Sequence, residues 1–360
     1  MNSLAERIAR MIRMSGPLPV SAFMTLALHD PQSGFYASRD AIGARGAFIT
    51  APEISQIFGE LLGLWCAQLW HDQNCPENPR LVELGPGRGT LMEDALRALR
   101  SVPAFLETLD VMLVEASPML EEVQRMRLRD AGVPVRWVRQ WNDIPRDRPL
   151  FLVANEFLDA LPVRQFVMTE RGWCERVVVE AEGELGFALS PVSMPLAVSP
   201  RRGAAEPGAV YEISPGAEAL VEDIGSVVAA QGGGALFIDY GHTGEGFGDT
   251  LQAVAEHAPV DVLASPGNAD ISAHVDFAGI AGSARRGGAR IWGPCEQGKF
   301  LRALGIDLRA AKLAMADPVH ASEIRSAVAR LTNPDAMGAL FQILAVTPPD
   351  ASQPPGFGAC

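Results

Sequence analysis

Between residues 80 and 157 short apolar runs alternate with segments of helical period: Arg80–Leu84, Leu91–Arg100, Asp110–Val114, Met119–Arg129, Val133–Val138 and Leu150–Ala154. Runs this short and this rich in Val and Leu have the length and texture of strands buried on both faces, and the segments between them are long enough for crossover helices. The pattern predicts parallel βαβ units in an open α/β sheet, an architecture whose ligands bind outside the carboxyl ends of the strands. Functional residues are therefore sought first where these runs end.

At 360 residues the chain exceeds one ordinary core, so a large domain with a smaller inserted or appended one is expected. Leu4, Ile8, Met11 and Ile12 mark a first amphipathic helix that ends at Ser15-Gly16-Pro17. From Val20 to Trp70 the pattern is helical, with a glycine-rich break at Gly43–Gly46. Thr50 and Glu53 have capping-box spacing with Pro52 in the first turn, which predicts one long apolar helix after them. Between Arg164 and Tyr211 short alternating runs around Arg171-Gly172 predict an antiparallel insertion. Helix returns at Pro215–Ala230, a strand follows at Ala235–Asp239, Gly241–Asp270 reads as loop, and Ala339–Val346 as a closing strand. The expected division is an N-terminal helical region (1–75), a cofactor-binding half (76–164), the antiparallel insertion (165–212), the remaining strands with a substrate-side subdomain (213–347) and a flexible Pro-rich tail (348–360).

Forty-three Asp and Glu against thirty Lys and Arg leave a net charge of −13, which repels phosphate backbones and argues against a nucleic-acid partner. The pairs Arg201-Arg202 and Arg285-Arg286 read as solvated loop charges. The longest apolar stretch, Leu61–Trp70, is far short of the ~20 residues a bilayer requires, so no membrane insertion is expected. Cys66, Cys75, Cys174, Cys295 and Cys360 are odd in number and contain no C-x-x-C pair, which supports neither a disulfide framework nor a metal knuckle and fits a reducing cytoplasm. Arg7, Arg10 and Arg13 give the N-terminus some likeness to a mitochondrial transit peptide, but Glu6 argues against that reading.

The first strand runs into Glu83-Leu84-Gly85-Pro86-Gly87-Arg88-Gly89-Thr90 and then into a helix, a turn at which backbone can approach a ligand closely. Thr90 stands where the dinucleotide fingerprint requires glycine, and there is no lysine for a P-loop. In their place stand Glu83, two residues before the first glycine, and Glu115, at the end of the next strand. A carboxylate at that strand end can accept hydrogen bonds from both ribose hydroxyls, and Glu83 can meet an ammonium group. Such a ligand has a nucleoside at one end, an amino acid at the other and no pyrophosphate, which describes S-adenosylmethionine. Glu115 also reads as a helix-start acid ahead of Ser117-Pro118. A second cluster, Asn155-Glu156-Phe157-Leu158-Asp159-Ala160-Leu161-Pro162, follows strand Leu150–Ala154, where a methyl acceptor would lie. Its residues read equally as turn and cap positions.

Five segments together resemble the MidA family of class I S-adenosylmethionine-dependent methyltransferases: Thr50–Glu60, Glu83–Thr90, Asn155–Pro162, Ala235–His242 and Ala269–Phe277. The resemblance runs in order from about Ile12 to about Val346. It implies a Rossmann-like, mostly parallel sheet and a protein arginine methyltransferase of the kind whose mitochondrial members act in respiratory complex I assembly. Cofactor contacts are then expected from Glu83, Gly85, Gly87, Gly89, Glu115 and Asn155, with no metal. The expected partner is a protein substrate, such as a complex I subunit, and the expected location is the bacterial cytoplasm, or the mitochondrial matrix for a eukaryotic chain. Lys299 stands where many relatives carry an acid.

A guanidinium is a poor nucleophile because it is cationic up to pH ~12, but paired carboxylates can hold its planar fork and take up its proton. Glu156 and Asp159 are the candidates, with His274 beside Asp276, and His242, as possible proton acceptors or walls. A small-molecule methyltransferase and a non-catalytic assembly chaperone that keeps the fold are the rival readings. The sequence does not specify the oligomeric state.

Overall fold

A computed structural model describes residues 3–38, 50–198, 202–244 and 246–358. The break at Gly43–Gly46, together with Arg201 and Cys360, lies outside the described residues. The chain forms two compact units, one of residues 49–158, 218–241 and 277–360 and a smaller one of residues 1–48, 159–217 and 242–276.

The larger unit is built on a sheet whose strands run in the order Arg290–Glu296, Phe341–Thr347, Gly233–His242, Leu150–Asn155, Arg80–Leu84, Asp110–Val114, Val135–Val138. The strands from Gly233–His242 to Val135–Val138 are parallel. Phe341–Thr347, the last strand in the chain, inserts antiparallel beside Gly233–His242. Strand Arg80–Leu84 is buried at every position, as befits a central strand, and this includes its two charged residues, Arg80 and Glu83. Arg80, 2% exposed at the amino end of that strand, donates to Asp110 Oδ2 at 2.8 Å and to Asp147 Oδ1 at 3.0 Å. The amino edge of the sheet is thus closed by ion pairs, and chemistry is left to the carboxyl edge.

The long helix expected after Thr50 is two helices, Ala51–Ile54 and Gln56–Asp72. Ser55 is extended (φ −156°, ψ 129°) and caps the second helix by accepting from Ile57 N, while the Thr50 side chain makes no capping bond. Helix Gln56–Asp72 packs so closely on helix Thr90–Leu99 that a Cβ on Gly63 would lie 2.8 Å from Ala95 Cα. The Pro-rich tail does not fray: Trp65 Nε1 donates to Pro355 O at 3.1 Å, and Phe357 is 4% exposed against the main core. Burying that ring contributes about 2 kcal/mol toward ordering a segment whose prolines already lower the entropy it has to lose.

The smaller unit carries the antiparallel insertion: Arg164–Thr169 pairs with Gly172–Ala181 and with Val210–Ile213, and Gly172–Ala181 also pairs with Leu18–Pro19 and Glu184–Met194. Its core joins Leu4, Ile8 and Ile12 of the first helix to Phe23, Met24 and Val178. Met11, expected on the buried stripe, is 41% exposed. The stretch read as loop contains a three-stranded sheet of Gln252–Ala255, Ala258–Val260 and Asp270–Ser272, whose short strands leave too little periodicity to read. Arg202, expected in solvent, is 8% exposed and ion-paired with Asp276. Cys66, Cys75 and Cys174 are free thiols, whereas Cys295 is disulfide-bonded, which a reading of scattered unpaired cysteines did not anticipate. No helix among the described residues is long and apolar enough to cross a membrane.

Candidate functional site

Three strand ends meet at the carboxyl edge of the larger unit's sheet. Glu83 lies opposite Leu113 and Val153 in register, so by the two-residue period of a strand Glu83, Glu115 and Asn155 project from one face. Gly85, Gly87 and Gly89 have φ of 61°, 54° and 79°, a left-handed run that side chains resist. A Cβ on Gly85 would also sit 2.7 Å from Phe157 Cδ2. The glycines thus serve the turn itself as well as close approach to a ligand.

Glu83 is 3% exposed, and its Oε2 has no hydrogen-bond partner among the described residues. Burial, reinforced by the nearby Glu115 carboxylate, pushes its pKa up to about 8. Asn155 Oδ1 is a second buried acceptor without a partner among the described residues. Two orphan acceptors on one face of a strand edge are what a donor-bearing cationic ligand would satisfy, since leaving them buried and unmet costs about 1–3 kcal/mol each.

Glu115, 8% exposed, accepts from Ser117 N at 2.7 Å through Oε1 and from Gln124 Nε2 at 2.9 Å through Oε2. Each oxygen keeps a second lone pair, so capping the next helix and accepting from a ribose are compatible. Burial raises its pKa against these bonds. Gln124, fully buried on helix Pro118–Arg127, also donates to Gly87 O at 2.7 Å and accepts from Trp137 Nε1 at 2.8 Å. It ties the glycine loop to Glu115, and sequence reading missed it. The available signal was a polar residue at a core position of an amphipathic helix.

Glu156 adopts a left-handed backbone (φ 50°), rare for a side chain of this kind. Its Oε1 accepts from Asn155 Nδ2 and from Ala51 N, both at 3.0 Å. Glu53, in that same turn, accepts from Thr90 Oγ1 at the start of the glycine-loop helix. The Thr50–Ile54 turn is therefore clamped to both strand ends, through Glu53 instead of the capping box. Asp239, 1% exposed, accepts from Phe157 N at 3.1 Å and Leu158 N at 2.9 Å and so fixes the backbone after Glu156. Glu53 and Asp239 are long-range partners with no local sequence signal.

Asp159 and His274 belong to the smaller unit, where Ala273 N donates to Asp159 O at 3.1 Å and brings their backbones together. His274 N donates to Thr250 Oγ1 at 2.8 Å, and burial lowers the ring's pKa. His242 is likewise lowered by burial, against the opposing pull of Asp276 at 3.9 Å, and its Nδ1 accepts from Gly244 N at 3.1 Å. Both rings are neutral near pH 7, the form that can accept a proton.

Comparison with known proteins defines the class. Residues 61–295 match a family of S-adenosyl-L-methionine-dependent methyltransferases, and the chain belongs to that family. It is 38% identical to the mouse mitochondrial protein arginine methyltransferase NDUFAF7 over 94% of this chain and 82% of the mouse protein. The human protein of that name is 36% identical over 94% of this chain and 81% of its own length. A crystal structure of a COG1565 superfamily member from Burkholderia thailandensis, bound to S-adenosyl-homocysteine, superposes with a TM-score of 0.87 at 30% identity over 96% of this chain and 91% of the other. The chain is a Rossmann-like methyltransferase whose cofactor is S-adenosylmethionine, and the orphan acceptors and glycine turn fit that ligand.

Proposed function

We propose that this methyltransferase acts on an arginine side chain of a protein acceptor, with a core subunit of respiratory complex I as the acceptor that the MidA resemblance suggests. The observation that carries this reading is Glu156, a carboxylate at the end of strand Leu150–Asn155 whose Oε1 is oriented by Ala51 N and Asn155 Nδ2. The 36–38% identity to proteins named as arginine methyltransferases supports the same reading.

When bound, S-adenosylmethionine supplies an electrophilic methyl group. Residues of the chain do the rest. Glu83 and Asn155 offer acceptors to the amino-acid end, Glu115 to the ribose, and the glycine turn admits close backbone contact. Glu156 holds a guanidinium edge and takes its proton as the nitrogen is methylated, an assignment consistent with the fork geometry of Arg–carboxylate pairs. Asp159 and neutral His274, on the smaller unit, are proposed from the sequence pattern alone as groups that meet the acceptor. Asn155, bonded to Glu156, couples the cofactor and acceptor ends.

The test is transfer of labelled methyl to extract proteins and to an arginine peptide. Glu156→Gln should leave cofactor affinity within about threefold and lower turnover by roughly 10²-fold, the usual scale for a positioned proton acceptor. Loss of cofactor binding with turnover preserved at saturation would move Glu156 to the cofactor site. Label in metabolites alone, or in nothing while cofactor still binds, would favour a small-molecule enzyme or a chaperone.

A further inference from the structure

Strand Glu184–Met194 is the outer strand of the smaller unit's sheet: it pairs with Gly172–Ala181 and with no other strand among the described residues. Its outer edge therefore presents backbone donors and acceptors to a further strand. Natural edges of this kind are guarded by lysines, prolines, bulges or a covering loop. Here Glu184 is the sole charged residue of the strand, and the guards are Pro191 and a register shift between Cys174 and Arg176 on the neighbouring strand. Both lie toward the far end, and although Ala5, Ala9 and Leu263 lie beside Glu184 and Leu185 at the start, no guard of this kind covers Gly186 to Ser190 among the described residues. Phe187 is 42% and Leu189 40% exposed on one face of this segment.

The charges around the edge are self-complementary. Glu182 and Glu184 stand at its start, both exposed and without an ion pair among the described residues. Arg171 stands at its other end, also exposed and without an ion pair, with Nη1 donating to Pro191 O at 3.2 Å. A strand laid antiparallel on this edge is therefore best matched when its own acidic start meets Arg171 and its own basic end meets Glu184. A second copy of the same strand has that arrangement.

We propose that this edge pairs with the same edge of a second copy, antiparallel about a two-fold axis beside Phe187, so that Glu184 of each copy meets Arg171 of the other. The symmetry makes the contact isologous and closed, which distinguishes it from open edge-to-edge aggregation. The two Phe187 rings become cross-strand neighbours at the axis, a favourable aromatic pair. This inference concerns assembly and does not rest on the choice of methyl acceptor.

Sedimentation equilibrium of the full chain between about 1 and 100 μM, with hydrogen exchange on residues 184–190, tests it. The expected result is a reversible dimer whose formation protects those amides. Phe187→Lys, which sets like charges opposite each other, should weaken dimerisation at least a hundredfold while circular dichroism stays that of the folded chain. Arg171→Glu and Glu184→Arg alter only exposed side chains; each alone should weaken the dimer about tenfold, and together they should restore it to within about threefold of wild type. A monomer throughout the range would overturn the proposal. So would a dimer indifferent to all three substitutions, or protection of residues 184–190 that appears only when an acceptor peptide is added.

Discussion

Glu60 and Glu83 are both glutamates buried in the larger unit, at 4% and 3% exposure, yet their surroundings are opposite. Glu60 accepts from Arg97 at 2.9 Å and from Arg309 at 2.7 and 3.1 Å, so that despite the cost of burial its pKa is held below the ordinary value. Among the described residues Glu83 has no cation beside it and keeps one oxygen unbonded, and its pKa is raised to about 8. The first acid is a bracket that joins helices Gln56–Asp72, Thr90–Leu99 and Ile306–Ala316. The second is, on the proposal made above, a binding group whose partner comes from outside the chain. A buried acid is informative about ligands when the chain leaves it unmet.

Removing each acid should separate the two roles. The largest loss of stability is expected for Glu60→Ala, about 2 kcal/mol by chemical denaturation, since Arg97 and Arg309 can partly recover solvent. Cofactor affinity should not change. Glu83→Gln should instead leave stability at pH 7 intact or improved and weaken cofactor binding.

Glu115→Ala should cost roughly 1.5–3 kcal/mol of cofactor affinity for a lost bidentate contact, or one to two decades. Because Glu115 also accepts from Ser117 N and Gln124 Nε2, about 1 kcal/mol of folding stability should go with it. An unaltered cofactor dissociation constant would reduce Glu115 to a helix cap. Gln124→Leu should have a smaller effect, about 1 kcal/mol on affinity, through a loosened glycine loop. A change confined to thermal stability would contradict that positioning role.

The two acids also differ in the sign of their pH dependence. Glu83 binds a proton more tightly folded than unfolded, so its contribution to stability is full below the unfolded value near 4.5 and is lost as pH rises toward about 8. Glu60 binds a proton less tightly when folded, so its contribution is present above that value and is lost as pH falls through its lowered one. Stability curves of Glu83→Gln and Glu60→Gln, each subtracted from wild type, should therefore slope in opposite directions. Equal slopes would show that burial alone governs both.

Much of this site could be read before the fold was seen, for a physical reason. Strand Arg80–Leu84 is buried throughout and Asp110–Val114 from Val111 onward, and a short, mostly apolar run ending in a glycine turn or an acid is a local pattern. Glu53, Gln124 and Asp239 act through partners distant in sequence, so nothing next to them marks their role. The tail was misread because prolines suggest fraying, whereas the buried Phe357 ring and the bond from Trp65 Nε1 to Pro355 O anchor it. The short strands of 252–272 are held by their pairing more than by their own pattern.

The most direct test of the central claim, that Glu83 is left unmet by the chain in order to receive the cationic end of the cofactor, is calorimetric titration with S-adenosyl-homocysteine at pH 7 in buffers of different ionisation enthalpy. With a pKa of about 8 in the free protein, Glu83 is largely protonated at that pH, and pairing with an ammonium group must expel the proton. Wild type should release close to one proton on binding, and Glu83→Gln should release none and bind more weakly. Equal affinity in the two proteins, with no buffer dependence in either, would contradict the assignment.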